Sequence, residues 1–384
     1  MEPDISYQVE SADQFWDALS DVLSTPCTTP ESIDNCLRSF LSLIVTYKAE
    51  YLASDDEVSR CVYQLRTAAV FTQQEEYVRR QFVYVLLQED DPAILHICAA
   101  LLLLDGRQQD PTFEMIRDEG GFPRLVELIH TFGQNGEHSE LFMILLDLIY
   151  EQARIFTLEW LELASVDDAF VLSLFSMIES MSGDVADPFH YSIIRVLLVL
   201  NEQYMVVSSQ PPPPGLPNGS AHLTNRVIKA IGTHSASYKT FGQTIILLIN
   251  REKEAILQIQ ILKLLYLVFA TSSTAEYFYT NDLHVLLDVV LRNLLDLPAD
   301  DDDMPSDSAA MTQALRHTYL RVLHNLLENS QLRRPGMGYK GAEILDTLDI
   351  LSGRRAGGFI HFAPLDETTL RLVDRCRSVE WLHG

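Results

Sequence analysis

The sequence predicts an all-α protein, a solenoid of about 16–18 helices in which residues 1–384 form a single helical-repeat domain. Apolar residues recur at three- and four-residue spacing through nearly every segment between helix breakers, which is the period of an amphipathic helix. The sequence shows no convincing series of alternating strands. A chain of 384 residues that is 47% hydrophobic also has enough apolar side chains to bury a large core. We therefore expect helices from one end of the chain to the other.

The first third of the chain is predicted to contain six helices. The most apolar of them includes Ile94, Leu95 and the run at 97–104, about half of the roughly 20 residues that a membrane span requires. We therefore expect no membrane insertion from this segment. The six predicted helices are 12–24, 31–52, 56–71, 74–89, 92–104 and 112–119.

A turn made of Gly120, Gly121, Phe122 and Pro123 precedes the next helix. The glycines permit backbone angles that other residues avoid, and proline fits the first turn of a helix. The phrase RLVELI follows, and a second helical phrase, ELFMILLDLIYEQ, comes after a loop. The GGFPRLVELI phrase resembles the start of the third helix of an armadillo repeat, so we predict an armadillo-like solenoid. The helices predicted here are 122–132, 137–154, 157–163, 167–181 and 188–207.

Two polar insertions are predicted to interrupt the second half of the chain. The first, a Pro-rich loop at 208–220, contains four consecutive prolines and lacks the backbone donors that a helix needs. Such a run can dock on an SH3 or profilin groove, but a single tetraproline favours a plain linker. The second, an acidic loop at 298–309, contains four consecutive aspartates, a like-charge block that is typical of solvated segments.

Between these insertions, two stretches are apolar almost all round, 264–270 and 283–297, which indicates helices covered on both faces. On the second, His284, Asp288, Arg292 and Asp296 form a narrow polar stripe, either a solvated edge, which we favour, or a recognition face. The phrases LHVLLDVVLRNLL and TYLRVLHNLLENS again resemble armadillo repeats, although their unequal spacing does not establish a fixed period. The helices predicted in this part are 223–232, 238–250, 253–270 and 282–297.

The last three predicted helices, 308–329, 341–352 and 367–378, border the residues that we predict to contact a partner. One face of helix 308–329 carries polar residues from Gln313 to Glu328, and such a face either lines the groove of a solenoid or is simply solvated. Residues 331–355 hold five basic and three acidic residues, which form either a docking patch or a loop of solvated charges. The predicted partner-binding residues are His317, Arg321, His324, Asn325, Arg333, Arg334, Tyr339 and Lys340.

The charge of the chain limits the classes of partner. Its 28 basic and 54 acidic residues give a net charge of −26, which repels nucleic-acid phosphates and anionic lipid headgroups. We expect no nucleic acid as a partner and no membrane insertion; a partner should be basic or meet a local basic patch. The first residues lack a signal-peptide pattern, and the five cysteines are dispersed as reduced thiols are, so a cytoplasmic location is predicted.

Sequence motifs of enzyme chemistry are absent. The chain has no GxxxxGK phosphate loop, no GxSxG elbow and no HExxH helix. The aspartates at 300–303 depart from the DDxxD site of prenyl-diphosphate enzymes, because Met304 replaces the last aspartate and the run is predicted to lie in a loop. His317 and His324 lack the carboxylate or thiolate partners that a metal site needs. We predict that the chain is not an enzyme and that it binds no cofactor.

The segment at 271–298 carries the clearest functional signal. It joins the aromatic turn STAEYFYTNDL to an apolar helix, and it resembles the signature segment of the WISH/DIP family. The resemblance implies a leucine-rich helical-repeat protein that binds and activates the actin-related protein 2/3 complex (the Arp2/3 complex) without a preformed filament. It further implies unbranched actin filaments that seed branched networks, an indirect link to actin, and a role in endocytosis at cortical actin patches.

Two departures from other proteins refine this expectation. Activators of the Wiskott–Aldrich type end in an acidic tail that bears tryptophan, whereas Trp381 here has no acidic run; a folded surface would have to bind the active arrangement of the complex more tightly. The alternative function is an armadillo-type adaptor for another partner, a basic cargo or a scaffold. Nuclear import carriers of that kind place asparagine four residues after tryptophan, and neither Trp16 nor Trp160 is followed in that way.

Overall fold

The computed structural model describes residues 9–133, 139–180, 188–211, 223–298, 306–334, 338–354 and 366–383. Within these ranges the regular structure consists of nineteen α-helices and two short 3₁₀ helices, without a strand. The predicted all-α fold class is thereby confirmed, whereas the assignment to armadillo-type repeats stays a prediction. None of the described helices is both long and apolar enough to cross a membrane.

The chain forms two compact units, Met1–Thr157 and Leu158–Gly384. The prediction of one continuous domain over 1–384 stays a prediction. The helices of the first unit are α1 (Ala12–Leu23), α2 (Pro30–Tyr51), α3 (Asp55–Thr67), α4 (Ala69–Thr72), α5 (Glu75–Gln88), α6 (Pro92–Gly106), α7 (Asp110–Asp118), α8 (Gly121–Gly133) and α9 (Ser139–Ile155). Those of the second unit are α10 (Trp160–Ser165), α11 (Asp168–Ser180), α12 (Pro188–Ser208), α13 (Arg226–Thr233), α14 (Lys239–Arg251), α15 (Ala255–Ala270), α16 (Thr280–Asp296), α17 (Ser306–Asn329), η1 (Gln331–Arg333), α18 (Gly341–Leu351), α19 (Glu367–Arg377) and η2 (Glu380–His383).

The helix predicted at 56–71 is in fact two helices, α3 and α4. Ala68 separates them with an extended backbone, φ −67° and ψ 152°. No glycine or proline marks this position. Val70 and Phe71, just beyond the break, are both buried, so packing rather than a local breaker turns the chain here. The other predicted helices end within three residues of the observed ends.

Both predicted loops fall largely outside the described residues. These omit 212–220 of the Pro-rich loop and 299–305 of the acidic loop. Ser208 is the last residue of α12, and residues 306–309 belong to α17. Helices therefore extend into both segments that the sequence assigned to loops.

Polar side chains fix the starts of several helices. The hydroxyl of Thr29 accepts a hydrogen bond from the N–H of Ser32, and the Ser32 hydroxyl accepts one from the N–H of Thr29, at 3.3 and 3.0 Å. Ser54 and Glu57 form the same reciprocal pair at the start of α3. Caps of this kind satisfy helix-terminal N–H groups and contribute about 1 kcal/mol each.

The predicted glycine turn before α8 is present. Gly120 has φ 73°, in the left-handed region that favours glycine. A Cβ atom on Gly121 would lie 2.6 Å from Cγ2 of Ile116, so a larger residue there would push the end of α7 away. The turn allows α8 to pack directly against α7 and α9.

Helix α6 lies at the centre of the first unit. It packs against α2, α3, α5, α7 and α9, and residues on all its faces, including Leu95, Ile97 and Cys98, are fully buried. This agrees with the almost uninterrupted apolar character of its sequence, which is typical of a helix surrounded by neighbours.

A buried ion-pair network closes the end of α6. Asp105 is 1% exposed and accepts hydrogen bonds from Nε of Arg66 at 2.8 Å and from Nε of Arg79 at 2.6 Å. The hydroxyl of Thr112 donates to the same carboxylate. Burial alone would raise the pKa of Asp105, but the hydrogen bonds from Arg79, Thr112 and Arg66 lower it below its usual value. The carboxylate therefore joins α3, α5, α6 and α7.

In the second unit, α15 and α17 form the central pair. Leu257, Ile261 and Leu265 of α15 are fully buried, as are Tyr319 and Leu323 of α17. Helices α16 and α19 both pack against α17, and α18 packs against α16 and α19. Helix α15 also contacts α12 and α14, so the 264–270 stretch has the central position that the sequence predicted.

Candidate partner-binding surface

The aromatic turn at 274–280 joins α15 to α16 and is fixed by buried contacts. The hydroxyl of Thr274 donates to the carbonyl of Val268 at 2.7 Å, and the buried Tyr277 hydroxyl donates to the carbonyl of Tyr238. A Cβ atom on Gly242 would lie 2.9 Å from the Tyr277 ring, so the glycine lets the ring pack against α14. These contacts fix the conformation of the turn between α14 and α16.

One aromatic residue of this turn, Tyr279, points outward. Its side chain is 58% exposed, and the Lys239 ammonium nitrogen lies 4.5 Å from its ring centroid. The same ammonium group donates to the carbonyl of Tyr277 at 2.5 Å, which holds the cation in place. An exposed tyrosine on a rigid turn is the type of side chain that often anchors a protein interface.

The outer face of α16 continues from Tyr279 with two exposed apolar residues. Val285 is 52% exposed and Leu295 is 38% exposed. Between them lies Arg292, which donates to Oδ1 of Asn250 at 2.6 Å. We call Tyr279 and the exposed face of α16 that carries Val285, Arg292 and Leu295 the α16 surface.

The polar stripe predicted on this helix is partly covered by the chain itself. The Tyr339 ring stacks on the His284 imidazole with centroids 3.8 Å apart and planes 10° apart. The Tyr339 hydroxyl donates to Oδ2 of Asp288 at 3.1 Å, and Nζ of Lys340 lies 2.9 Å from Oδ1 of Asp288. The hydrogen bond to Asp288 raises the pKa of Lys340. Asp288 thus pairs with Lys340. Of the four residues in the predicted polar stripe, Arg292 and Asp296 are exposed, so the solvated edge that we favoured covers the second half of the stripe.

The basic residues at 333–334 lie beside the aromatic turn. Arg334 pairs with Glu276 at 2.6 Å, and both side chains are more than half exposed. The Thr280 hydroxyl donates to Oε1 of Gln331 at 3.1 Å, which ties η1 to the start of α16. Arg333 is exposed, and its guanidinium lies 3.5 Å from the carbonyl of Glu328. Of the four predicted residues in this part of the chain, Arg334 contacts the aromatic turn, Tyr339 and Lys340 contact α16, and Arg333 contacts the end of α17.

The other four predicted residues lie on α17, where two of them contact α19. Nε2 of His317 lies 3.2 Å from both carboxylate oxygens of Asp366, the N-cap of α19, and 3.0 Å from the hydroxyl of Thr369. Burial lowers the pKa of His324, and the nearby Arg375 cation on α19 lowers it further. Helix α19 thus occupies part of the face that was predicted to line a groove.

Arg321 and Asn325 differ in their accessibility. Arg321 is exposed. Asn325 is 7% exposed, and its amide donates to the carbonyl of Tyr266 at 3.5 Å, so it holds α17 against α15. Of the four predicted residues on α17, Arg321 is the one that presents its side chain to solvent.

Replacement of Asp366 by alanine tests the contact between α17 and α19. Burial alone would raise the pKa of Asp366, but hydrogen bonds from Thr369, Gln313 and His317 hold it well below its usual range. Because the change removes both the helix cap and the bond to His317, we expect a loss of about 1–2 kcal/mol in the free energy of unfolding. Urea denaturation measures this, and a conservative Asp366→Asn variant should retain most of the cap.

The part of the chain that contains this surface is similar to known proteins. Residues 186–344 match the family model described as SPIN90/Ldb17, leucine-rich domain. The chain is 26% identical to Protein dip1 of Schizosaccharomyces pombe over 99% of this chain and 96% of that protein. The chain belongs to the WISH/DIP/SPIN90 family. The resemblance inferred from the turn STAEYFYTNDL is thereby confirmed.

Two further relatives of the WISH/DIP/SPIN90 family are similar to this chain. Protein LDB17 of Eremothecium gossypii is 26% identical over 88% of this chain and 74% of its own length. Protein LDB17 of Saccharomyces cerevisiae is 33% identical over 52% of this chain and 36% of its own length. The family model covers 186–344, a range that includes the aromatic turn, α16 and all eight predicted partner-binding residues.

On the α16 surface of this family member the sequence pointed to Arg292, as part of the polar stripe, but not to the exposed Tyr279, Val285 and Leu295. Tyr279 lies inside the aromatic turn that was quoted, but its two aromatic neighbours, Tyr277 and Phe278, are buried, and sequence alone does not distinguish the three. Val285 and Leu295 were assigned to a helix covered on both faces. A helical projection of α16 would have placed both beside the polar stripe, as they lie three residues from Asp288 and Arg292.

Among the described residues, one set of side chains that could together ligate a metal ion lies in the first unit. Ligand atoms of Asp55, His96 and Glu140 lie within 4.8 Å of one another. Both carboxylates are exposed. The Lys48 ammonium group lies close enough to Glu140 that the carboxylate charge partly opposes the lowering of the Lys48 pKa by burial. A cation of the chain therefore already lies near this set, which we do not assign to a metal.

Proposed function

We propose that this chain binds the Arp2/3 complex and activates it without a preformed filament, nucleating unbranched actin filaments that seed branched networks. The observation that carries the proposal is the match of residues 186–344 to the SPIN90/Ldb17 leucine-rich domain. In this proposal the chain acts by binding and not as an enzyme, and its contact with actin is indirect. Its expected place is the cytoplasm, at the cortical actin patches of endocytosis.

The α16 surface has features that suit this role. Exposed Tyr279, Val285 and Leu295 offer apolar contact area on a helix and turn. Arg292 lies on the same helix, and Arg334 pairs with Glu276 of the turn. Interfaces of stable complexes commonly combine a small apolar centre with a polar rim. Activation would follow if this rigid surface binds the active arrangement of the complex more tightly than the inactive one.

Fluorescence microscopy of actin assembly tests the proposal. The full chain is mixed with actin monomers and the Arp2/3 complex, without a Wiskott–Aldrich-type activator and without seed filaments. We expect unbranched filaments to appear rapidly and only when both proteins are present. Assembly no faster than with the complex alone would contradict the proposal and leave an adaptor for another partner, to be identified by pull-down.

A charge variant tests the contribution of Arg333 and Arg334 to binding. We expect Arg333→Glu combined with Arg334→Gln to weaken binding to the Arp2/3 complex by about tenfold, because rim charges steer encounter and stabilise complementary contacts. Gln replaces Arg334 because a glutamate there would face Glu276, the present partner of Arg334. Binding is measured by co-sedimentation or fluorescence anisotropy at two salt concentrations.

Arg251→Glu combined with Lys253→Gln is the matched control for this variant. Both residues are exposed, lie in the same unit and give the same change in net charge. Equal weakening by the two double variants would mean that net charge alone governs binding. Unchanged binding by the Arg333 and Arg334 variant would remove these residues from the interface.

A further inference from the structure

Two cysteines of the first unit lie side by side where the chain passes from α1 to α2. Cys27, in the connection, is partly exposed, and its sulfur lies 3.3 Å from the carbonyl oxygen of Thr25 and 3.5 Å from that of Ser32. In an α-helix the carbonyl of residue 32 accepts the N–H of residue 36. Cys27 therefore lies against the turn of α2 that carries Cys36.

The thiol of Cys36 faces Cys27 from the helix. Cys36 is 5% exposed, and its sulfur lies 3.4 Å from the carbonyl oxygen of Val22. Burial raises the pKa of Cys36 to about 12, and the neighbouring Cys27 thiol raises it in the same direction. Because the Cys27 sulfur lies 3.5 Å from the carbonyl oxygen of Ser32, one helical turn before Cys36, the two thiols are neighbours.

We propose that Cys27 and Cys36 are a dithiol modification site, which a hydroperoxide oxidises to a disulfide. The Cys27 thiolate attacks the peroxide, so a sulfur–oxygen bond forms, the oxygen–oxygen bond breaks, and an alcohol or water leaves after protonation. The sulfur of Cys36 then attacks the sulfur of the Cys27 sulfenic acid. The sulfur–sulfur bond forms, and the hydroxyl of the sulfenic acid leaves as water with the proton of Cys36. Two electrons pass from the thiols to the peroxide.

The surroundings make this pair differ from the other three cysteines. Cys61, Cys98 and Cys376 are all buried, so a hydroperoxide in solution reaches them less readily than it reaches Cys27. Cys27 is the partly exposed thiol, so it reacts first.

The disulfide would close a short loop around the start of α2. That loop contains the reciprocal cap of Thr29 and Ser32, so oxidation would fix the connection between α1 and α2 in its present conformation. The site lies in the first unit, outside the 186–344 range on which the proposed function rests. Oxidation at this site is therefore independent of the proposed function.

Mass spectrometry of the full chain tests the proposal. The folded protein is treated with tert-butyl hydroperoxide, unfolded, alkylated and digested with trypsin. Because Arg38 is the first lysine or arginine of the chain, both cysteines fall in the peptide 1–38. We expect this peptide to lose two hydrogens and both alkylation sites, and dithiothreitol to restore both sites. Cys61, Cys98 and Cys376 should stay fully alkylated.

Cys27→Ser is the informative variant, because the position is partly exposed, and circular dichroism checks that it folds. In this variant Cys36 should remain alkylated after peroxide treatment. Sulfinic acid at Cys27 beside an alkylated Cys36 would overturn the proposal. So would two alkylated cysteines after a peroxide dose that fully oxidises free dithiothreitol, or equal oxidation of the three buried cysteines.

Discussion

Asp105→Asn is expected to lower the free energy of unfolding by about 3–5 kcal/mol, since breaking a buried ion pair leaves an uncompensated charge. The carboxylate is 1% exposed and contacts Arg66, Arg79 and the hydroxyl of Thr112. An uncharged amide at this position leaves Arg66 without its carboxylate partner, and it leaves the 9%-exposed Arg79 with the half-exposed Glu75 as its remaining anion. Urea denaturation followed by circular dichroism measures the loss.

Asp118→Asn is the matched control for this change. Asp118 pairs with Arg117 at 2.8 Å in the same unit, but its side chain is 65% exposed. Ion pairs at the surface contribute little, because water screens both charges. We expect the denaturation midpoint of this control to stay at the wild-type value. Similar losses in the two variants would mean that the Asp105 network is not the buried junction described here.

The Asp105 network should also govern the response of the first unit to acid. The pKa of this carboxyl is lower in the folded than in the unfolded chain, where an aspartic acid has a pKa of about 3.9. Its contribution is therefore complete above that pH and is lost as the pH falls towards the folded pKa. Wild type should lose more stability below pH 4 than Asp105→Asn does, which thermal unfolding at several pH values would measure.

Local patterns in the sequence were sufficient to locate the helices. The three- and four-residue spacing of apolar residues marks nearly all of them, and Gly120 and Gly121 mark the turn before α8. The break at Ala68 carries no such mark, because it arises from the burial of Val70 and Phe71. Asp105 is similar, since its partners Arg66 and Arg79 come from two other helices, and periodicity within one helix contains no information about such contacts.

The candidate surface was only partly predictable, because several of its contacts join residues that are far apart in the sequence. The basic residues at 333–340 stand out by charge, and the aromatic turn stands out by composition. Their mutual placement does not, because the stack of Tyr339 on His284 and the pair of Lys340 with Asp288 join residues about 50 positions apart. A helical projection of α17 likewise does not predict the contact of His317 with Asp366.

Tyr277→Ala is expected to lower the free energy of unfolding by about 3–5 kcal/mol, as other truncations of large buried aromatic residues do. The side chain is 2% exposed, and its ring packs against Gly242. The change also removes the hydrogen bond to the carbonyl of Tyr238. Urea denaturation measures the loss, and Tyr277→Phe, which keeps the ring, should recover most of it. A loss below about 1 kcal/mol, the size of one hydrogen bond, would contradict the central role of this ring in the turn.

Tyr279→Ala, unlike Tyr277→Ala, is expected to affect actin assembly and not the stability of the fold. Its side chain is 58% exposed, so the denaturation midpoint should stay at the wild-type value, whereas actin assembly with the Arp2/3 complex should slow markedly if this ring anchors the partner. Tyr277 and Tyr279 lie two residues apart in the same turn, so the pair separates two explanations of the aromatic segment. If Tyr279→Ala assembles actin at the wild-type rate while Tyr277→Ala unfolds readily, the segment is needed for the packing of α14, α15 and α16, and the partner binds elsewhere.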